Sequence, residues 1–149
     1  MDVLATEVRD EFARLHDRMR AVIKDLDMEA LNRAPAEGEN SIAILVTHVL
    51  GSELGWLHRA AGRPFTRDRD SEFRARRSAT ELRAAIDATE PQVRELLDAT
   101  IAGGLDTKRP RGDGTEVTAA FCVTYILSHS AEHVGHAELT RNLLGHRPK

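Results

Sequence analysis

Hydrophobic residues recur at intervals of three and four along the first 26 residues of the chain, while Arg, Glu and Asp occupy the opposite side. This period is typical of an amphipathic helix with one buried face. The apolar positions are Leu4, Val8, Phe12, Leu15, Met19, Val22 and Leu26. His16 lies beside this apolar stripe, and we expect it at the boundary of the buried face. The pattern therefore predicts a first helix over residues 4–26.

A second stretch with the same period follows a predicted loop over residues 27–39. Asn40 or Ser41 can cap its start by accepting from the free backbone N–H groups of the first turn, and the helix should end near Gly62. The residues that share its inward face are Ile42, Leu45, Val49, Ser52 and Trp56. His48 falls within that face, so the second predicted helix also carries a histidine toward the interior.

An arginine-rich segment over residues 63–77 separates the second predicted helix from the third. Because it holds six Arg and few large apolar residues, we predict an ordered loop or a short helix. Ser78 and Glu81 have the spacing of a capping box, and a helical period continues beyond them to residue 97. Pro91 lacks a backbone donor, which predicts a kink or a restart inside this third helix.

A polar loop over residues 103–116 leads to a fourth predicted helix over residues 117–144, with Gly145 in the position that commonly ends a helix. Four helices without a strand pattern predict an all-α fold, an antiparallel four-helix bundle. A chain of 149 residues fits one domain, so we expect residues 1–149 to form a single bundle. The long connection after the second helix permits up-down-down-up order as well as simple up-and-down order.

The net charge of -3 argues against nucleic-acid or anionic-membrane partners, which normally select a basic surplus. The single Cys excludes an intrachain disulfide framework and is typical of a reducing cytoplasm. No apolar run reaches the roughly 18 residues of a membrane-spanning helix, and the acidic start does not resemble a signal peptide. We therefore expect a cytoplasmic protein that acts without nucleic acid or membrane.

The fourth predicted helix carries a group of histidines. His129, His133 and His136 are spaced by four and three residues, so they share one helix face. Cys122 and Ile126 precede them on the same stripe, which a bundle would bury. An apolar stripe that continues as three imidazoles indicates a functional site. Cys122 lies roughly 10 Å from His129 by helical rise, and we expect it to be a small buried core residue.

Imidazole is a common ligand for zinc-like metals, and three protein ligands with one open position define a catalytic metal site. His129 and His133 can reach one ion from the fourth helix, and His48 can supply the third ligand from the second. A single inward histidine is more often a core residue, but three on two helices favour a metal. We expect His136 to support the ligands or face the substrate; the alternatives are a fourth ligand or plain packing.

Two other metal-site patterns fit the chain less well. Residues 129–133 match the H-x-x-E-H pattern of inverted zincins, but only 16 residues follow His133, too few for the downstream helix and third ligand of such a protease. A ferritin-like di-iron site needs Glu-x-x-His on two helices, and this spacing does not occur in the chain. We therefore reject the protease pattern and disfavour the di-iron site.

Residues 41–57, 61–73 and 129–145 resemble the DinB-like superfamily of metal-binding four-helix bundles. The strongest likeness combines a histidine on the second helix with H-x-x-x-H-x-G-[QH] near the end of the fourth. The H-x-G-H-x-[DE]-x-x-R run over residues 133–141 resembles the actinobacterial branch that includes mycothiol-dependent maleylpyruvate isomerase. That isomerase has Glu at the position of His129, whereas the three-histidine set of this chain resembles the thiol S-transferase branch.

The resemblance implies an up-down-down-up bundle, a divalent metal on His48, His129 and His133, and a homodimer. It also implies a small-molecule substrate and a low-molecular-weight thiol, such as mycothiol, as co-substrate. Zinc is our first expectation for the metal, although imidazole ligands also suit nickel, iron and copper.

These observations lead to the hypothesis of a metal-dependent thiol S-transferase, in which a metal-bound thiolate attacks an electrophile. The candidate catalytic residues are His136, which could move a proton or hold the substrate, and Glu53, which could orient a ligand. The alternative for Glu53 is an ion pair with Arg59 or Arg141. Trp56 and Arg141 are the candidate cofactor-binding residues, and Trp56 also suits a core or pocket-wall position. A hydrolase that uses metal-bound water and a non-catalytic metal-binding bundle are the alternatives to the transferase.

Overall fold

The computed structural model describes residues 3–146 and shows a helical bundle. Within that range the helices are α1 (Val3–Ile23), α2 (Met28–Asn32), α3 (Ile42–Ala61), α4 (Arg69–Glu72), α5 (Ala79–Gly103) and α6 (Ala119–Leu143). The strands are β1 (Lys108–Pro110) and β2 (Glu116–Thr118), which pair as a short antiparallel hairpin. The long helices α1, α3, α5 and α6 correspond to the four predicted helices, so the predicted all-α fold is confirmed.

The observed caps agree with the predicted helix ends. Ser41 caps α3 by accepting a hydrogen bond from the backbone N–H of Ile44, and Gly62 ends α3 in a left-handed conformation with a φ of 70°. Ser78 and Glu81 form the reciprocal capping box at the start of α5. Because a left-handed φ costs little at glycine, Gly62 lets the chain turn from α3 into the arginine-rich segment.

Three local features differ from the sequence prediction. The loop over residues 27–39 contains α2, whose first turn is capped by the Asp27 side chain. The loop over residues 103–116 contains β1 and leads into β2, a hairpin too short to show an alternating pattern. Helix α5 is continuous through Pro91 and has buried residues on both sides of it, so the helix does not restart there, and the kink stays a prediction. Packing against the bundle offsets the hydrogen bond that proline removes.

Helix α3 packs against α5 and α6, and α1 packs against the same two helices. Arg9 pairs with Asp98 and Arg20 with Asp87, so α1 and α5 run in opposite directions. Two groups of buried apolar side chains fill the centre, one around the first half of α3 and the other around Leu57 near its end. No helix of the described range combines the length and the apolar character that a bilayer-spanning segment requires.

Candidate metal centre

The bundle brings three histidines from two neighbouring helices into one cluster. His48 comes from α3, and His129 and His133 lie one turn apart on α6. Each offers one ring nitrogen, and these nitrogens all lie within 4.8 Å of one another. The structure therefore brings together the three residues that the sequence predicts as metal ligands.

The distances in this cluster fit a divalent metal ion. A tetrahedral zinc with Zn–N distances near 2.1 Å holds its ligand nitrogens roughly 3.4 Å apart. The Nε2 atoms of His48 and His129 are 3.4 Å apart, and the ring centroids of His129 and His133 are 4.4 Å apart. The spacing of the three ring nitrogens, all within 4.8 Å of one another, is therefore close to that of the ligands of one ion.

Burial keeps the imidazoles of the cluster uncharged. Burial first, and then the positive charges of neighbouring His133 and His48, lower the pKa of His129 to about 4. The pKa values of His48 and His133 are also lowered, with burial as the main cause. The Nδ1 atom of His129 is buried without a hydrogen-bond partner among the described residues, so nothing there stabilises a protonated ring. Three neutral imidazoles at pH 7 have lone pairs free for a metal.

We expect the metal-free protein to lose stability as the pH falls from 6.5 toward 4. The folded-state pKa of His129 lies below its ordinary value of 6.5, so in this window the unfolded chain binds a proton that the folded chain does not. The stability that the unprotonated ring of His129 contributes is fully present above pH 6.5 and is lost as the pH falls toward the folded-state pKa. Urea unfolding of metal-free protein at a series of pH values measures this loss. Over the same pH range, the free energy of unfolding of a His129→Asn variant should fall by less than that of the wild type. An equal fall in both proteins would show that His129 is not the group responsible.

Glu72 holds the other ring nitrogen of His48. Its Oε1 accepts a hydrogen bond from Nδ1 of His48 at 3.0 Å, and Arg67 donates to Oε1 and Oε2 of Glu72 at 2.6 and 2.7 Å. Arg67 also donates to the hydroxyl of Ser52 on α3 at 2.8 Å. A carboxylate at Nδ1 fixes the tautomer in which Nε2 of His48 carries the lone pair. The arginine-rich segment thus orients one of the three candidate ligands.

Helix α3 has a glycine at the point where the Glu72 carboxylate approaches it. A Cβ atom on Gly51 would overlap with Oε2 of Glu72, and Glu72 is only 6% exposed. The next residue, Phe73, places its ring 4.9 Å from the ring of His48. The absence of a side chain at Gly51 therefore permits the close approach that brings both Glu72 and Phe73 onto His48.

The histidines of α6 lie at the edge of its buried face. The buried positions Ser130, Val134 and Ala137 each follow a histidine by one residue, which turns the imidazoles by about 100° away from the centre of the bundle. The sequence pattern predicts these histidines on the buried stripe itself. In the structure, the buried stripe lies one residue further along α6. The offset leaves one side of the cluster accessible from the surface of the bundle.

His136 lies on this accessible side. It is exposed, and its Nδ1 is 3.3 Å from Nδ1 of His133. A pocket of about 680 Å³ borders both histidines, with Leu45 and Leu139 among its apolar walls. His136 therefore contacts a candidate ligand and faces a pocket, and its catalytic role stays a prediction.

Glu53 contacts His16 of α1. Its Oε2 lies 2.7 Å from Nε2 of His16, and the His16 and Glu53 side chains are 1% and 0% exposed. The alternative for Glu53, an ion pair with Arg59 or Arg141, does not occur, and the boundary position predicted for His16 is wrong. Five residues after His48, Glu53 is rotated by about 140° around α3, which directs it to α1. The carboxylate that is hydrogen-bonded to a candidate ligand is Glu72, and the catalytic role of Glu53 stays a prediction.

Of the two candidate cofactor-binding residues, only Trp56 lies near the histidines. Its ring is 4.6 Å from the ring of Tyr125, which stacks at 6.0 Å from His129. Arg141 donates to three backbone carbonyl groups at the end of α1, where a cation is favoured by the unpaired carbonyls. Its guanidinium group therefore joins α6 to α1, and its role in cofactor binding stays a prediction.

Sequence reasoning misses four residues around the cluster, among them Phe73, whose ring lies 4.9 Å from that of His48. Glu72 and Arg67 lie in the arginine-rich segment, and no periodic signal connects them to His48 because the chain leaves α3 before it returns. Tyr125 precedes His129 by four residues, so the helical spacing could have identified it. Cys122 is buried, as the sequence predicts.

The fold and the cluster define a class of protein, a four-helix bundle with a three-histidine site that can hold a metal ion. The family model of the DinB superfamily matches residues 9–137. The chain therefore belongs to the DinB superfamily, as its sequence motifs predict.

Two solved structures have a similar fold. A conserved protein from Enterococcus faecalis is 14% identical, with 99% of each chain covered and a TM-score of 0.81. A DinB-like protein from Bacillus subtilis is 17% identical, with 95% of this chain and 93% of that chain covered and a TM-score of 0.75. At these identities the likeness shows the fold alone. No curated protein matches the sequence.

Proposed function

We propose that this protein binds a divalent metal ion through His48, His129 and His133 and acts as a metal-dependent thiol S-transferase. The observation that carries the proposal is the convergence of three neutral imidazole nitrogens within 4.8 Å at the accessible edge of α6. Three protein ligands leave a position for an exogenous ligand, which is the arrangement of catalytic metal sites. Zinc is the first candidate, and nickel, iron and copper also suit imidazole ligands.

A divalent ion held by His48, His129 and His133 would favour the thiolate over the thiol of a co-substrate such as mycothiol and so would supply a nucleophile at neutral pH. The residues of the chain supply orientation and proton transfer. Glu72 fixes the ring of His48 through Nδ1. The exposed ring of His136, beside His133, can accept at a ring nitrogen the proton that the thiol releases. The electrophilic substrate would occupy the neighbouring pocket, whose lining includes Leu45 and Leu139.

The likeness of the three-histidine set to the thiol S-transferase branch supports a thiol as co-substrate. The proposal also includes a cytoplasmic location and a homodimer, as the resemblance implies. Light scattering tests the dimer, because a dimer has twice the 16.5 kDa mass of one chain.

The consumption of thiol by metal-loaded protein tests the proposed activity. The protein is incubated with zinc or nickel, with mycothiol or cysteine, and with a haloaromatic electrophile, and free thiol is measured over time. We expect the wild type to accelerate conjugation by roughly a hundredfold or more, and we expect His133→Ala to abolish this acceleration. His146→Ala is the matched control, because His146 is exposed and lies outside the cluster.

Two results would contradict the transferase. One is a wild type that holds about one equivalent of metal and leaves every thiol unreacted, which would indicate a metal-binding bundle without this activity. The other is equal acceleration by the wild type and by His133→Ala, which would separate the reaction from the histidine cluster.

A further inference from the structure

A second pocket, of about 400 Å³, lies between the C-terminal end of α3 and strand β1. Three arginines line it, Arg59, Arg63 and Arg109, and none of its lining residues is acidic. A volume of this size holds a small organic molecule. A concave surface with a single sign of charge concentrates ions of the opposite sign. The composition of the pocket therefore favours an anion.

Two of the three arginines are fixed by the protein itself. Arg63 pairs with Glu95 at 2.7 Å. Arg109 donates to the backbone carbonyl of Ala60 at 2.9 Å, and its guanidinium lies so close to Gly62 that a Cβ atom there would collide with it. These contacts hold both guanidinium groups in place at the rim of the pocket.

The third arginine has its hydrogen-bonding capacity free. The side chain of Arg59 makes no ion pair or hydrogen bond with any residue that the structure describes, and its guanidinium lies 4.6 Å above the ring of Trp56. A guanidinium that stacks on a ring keeps its in-plane N–H donors available for a carboxylate or a phosphate. Arg59 is therefore the residue of the pocket that is prepared to bind an anion.

Guanidinium groups also lie near Cys122 and Phe121 in the first turn of α6. Arg59, Arg109 and Arg111 all act on Cys122, where they oppose the rise in the thiol pKa that burial causes. Arg111 also lies 5.9 Å above the ring of Phe121. Two aromatic rings in this part of the fold, those of Trp56 and Phe121, thus each carry a guanidinium group.

A continuous series of ring contacts joins Arg59 to the candidate metal ligands. Arg59 lies on Trp56, the ring of Trp56 is 4.6 Å from that of Tyr125, and Tyr125 stacks on His129 at 6.0 Å. Tyr125 is 39% exposed, so this surface is accessible to a ligand. A molecule bound at Arg59 can extend past the half-buried ring of Trp56 and along the exposed ring of Tyr125 toward His129.

We propose that the pocket of Arg59, Arg63 and Arg109 binds the oxyanion end, a carboxylate or a phosphate, of the small molecule that reacts at the histidine cluster. This inference rests on the proposed function, since it names the chemical class of the substrate or thiol co-substrate of that site. The oxyanion is bound by the free donors of Arg59, beside the guanidinium group of Arg109. Arg109 makes no ion pair with any described residue, whereas the charge of Arg63 is balanced by Glu95. The remainder of the molecule lies on the rings of Trp56 and Tyr125.

The fluorescence of Trp56 tests this proposal, because Trp56 is the single tryptophan of the chain and Arg59 lies on its ring. Metal-free and metal-loaded protein are titrated separately with succinate and with inorganic phosphate, and sodium chloride at matched ionic strength gives the background. We expect a saturable change with a midpoint on the order of 1 mM in both forms of the protein. The two anions distinguish a carboxylate site from a phosphate site by their midpoints.

Arg59→Gln should raise the midpoint by roughly tenfold or more, because the charged donors are lost. Arg83→Gln is the matched control, because the backbone of Arg83 lies about 18 Å along α5 from that of Glu95, the partner of the pocket residue Arg63. The binding midpoint of this variant should differ from that of the wild type by less than about twofold. The amide resonances of Gly55 and Gly62, which line the pocket, give a second measurement that does not depend on Trp56.

Three results would overturn the proposal. The first is no saturable change with either anion, and the second is an equal loss of binding in Arg59→Gln and Arg83→Gln. The third is a signal that occurs only in metal-loaded protein, which would place the anion at the histidine cluster. Saturable, Arg59-dependent binding in a chain that takes up no metal would support the anion pocket while the proposed transferase fails.

Discussion

Replacement of His16 by Leu is expected to lower the free energy of unfolding by about 3–5 kcal/mol. The reason is the carboxylate of Glu53, which is 0% exposed and lies 2.7 Å from Nε2 of His16. The second oxygen of Glu53 has no hydrogen-bond partner among the described residues. The variant would therefore leave both oxygens of the buried carboxylate without a hydrogen-bond partner. Urea unfolding at pH 7 measures the change.

A double variant separates the pair from the packing around it. Because an apolar pair can replace a buried polar pair at little cost, His16→Leu with Glu53→Leu should recover most of the stability that His16→Leu loses. His146→Leu is the surface control and should change the free energy of unfolding by less than about 0.5 kcal/mol. A loss of under about 1 kcal/mol in His16→Leu would contradict this account of the pair.

Replacement of Glu72 by Gln is expected to weaken metal binding by about 10–100-fold. The Glu72 carboxylate accepts from Nδ1 of His48 at 3.0 Å and is itself held by Arg67. A glutamine keeps the size of the side chain but removes the charge that makes Nε2 of His48 a stronger ligand. Competition with a chelator of known affinity measures the change in metal-loaded protein.

Glu95→Gln provides the matched control for this prediction, since it removes the same charge from an exposed pair with Arg63. The ¹⁵N resonances of the His48 ring provide a readout that a merely structural role would not change. In the wild type they should show a proton on Nδ1, and in Glu72→Gln a mixture of tautomers. Metal affinity of Glu72→Gln within about twofold of the wild type would show that Glu72 does not position His48.

The parts of this structure that the sequence predicts are those that depend on local spacing. Helices α1, α3, α5 and α6 follow from apolar residues that recur every three or four positions, because that period is a property of one helix alone. The same holds for His129 and His133, which are four residues apart. The prediction that His48 joins these two residues needs one further assumption, that the inward faces of two helices meet. A four-helix bundle satisfies this assumption.

The contacts that the sequence does not predict depend on how each helix is rotated about its own axis. His16 and Glu53 are 37 residues apart, and His48 and Glu72 are 24 residues apart. A hydrophobic stripe locates the buried face only to within about one residue, and one residue decides whether His16 is at the boundary or fully buried. The same uncertainty explains why the histidines of α6 lie beside the buried stripe.

The metal content of purified protein tests the central claim most directly. Wild type and His129→Ala are prepared without an affinity tag or chelator, and elemental analysis gives the metal per chain, with His146→Ala as the control. The three-histidine centre predicts about one equivalent in the wild type and in the control, and less than about one tenth of an equivalent in His129→Ala. Equal occupancy in wild type and His129→Ala would contradict the centre. So would a folded wild type that takes up no metal after incubation with zinc and nickel.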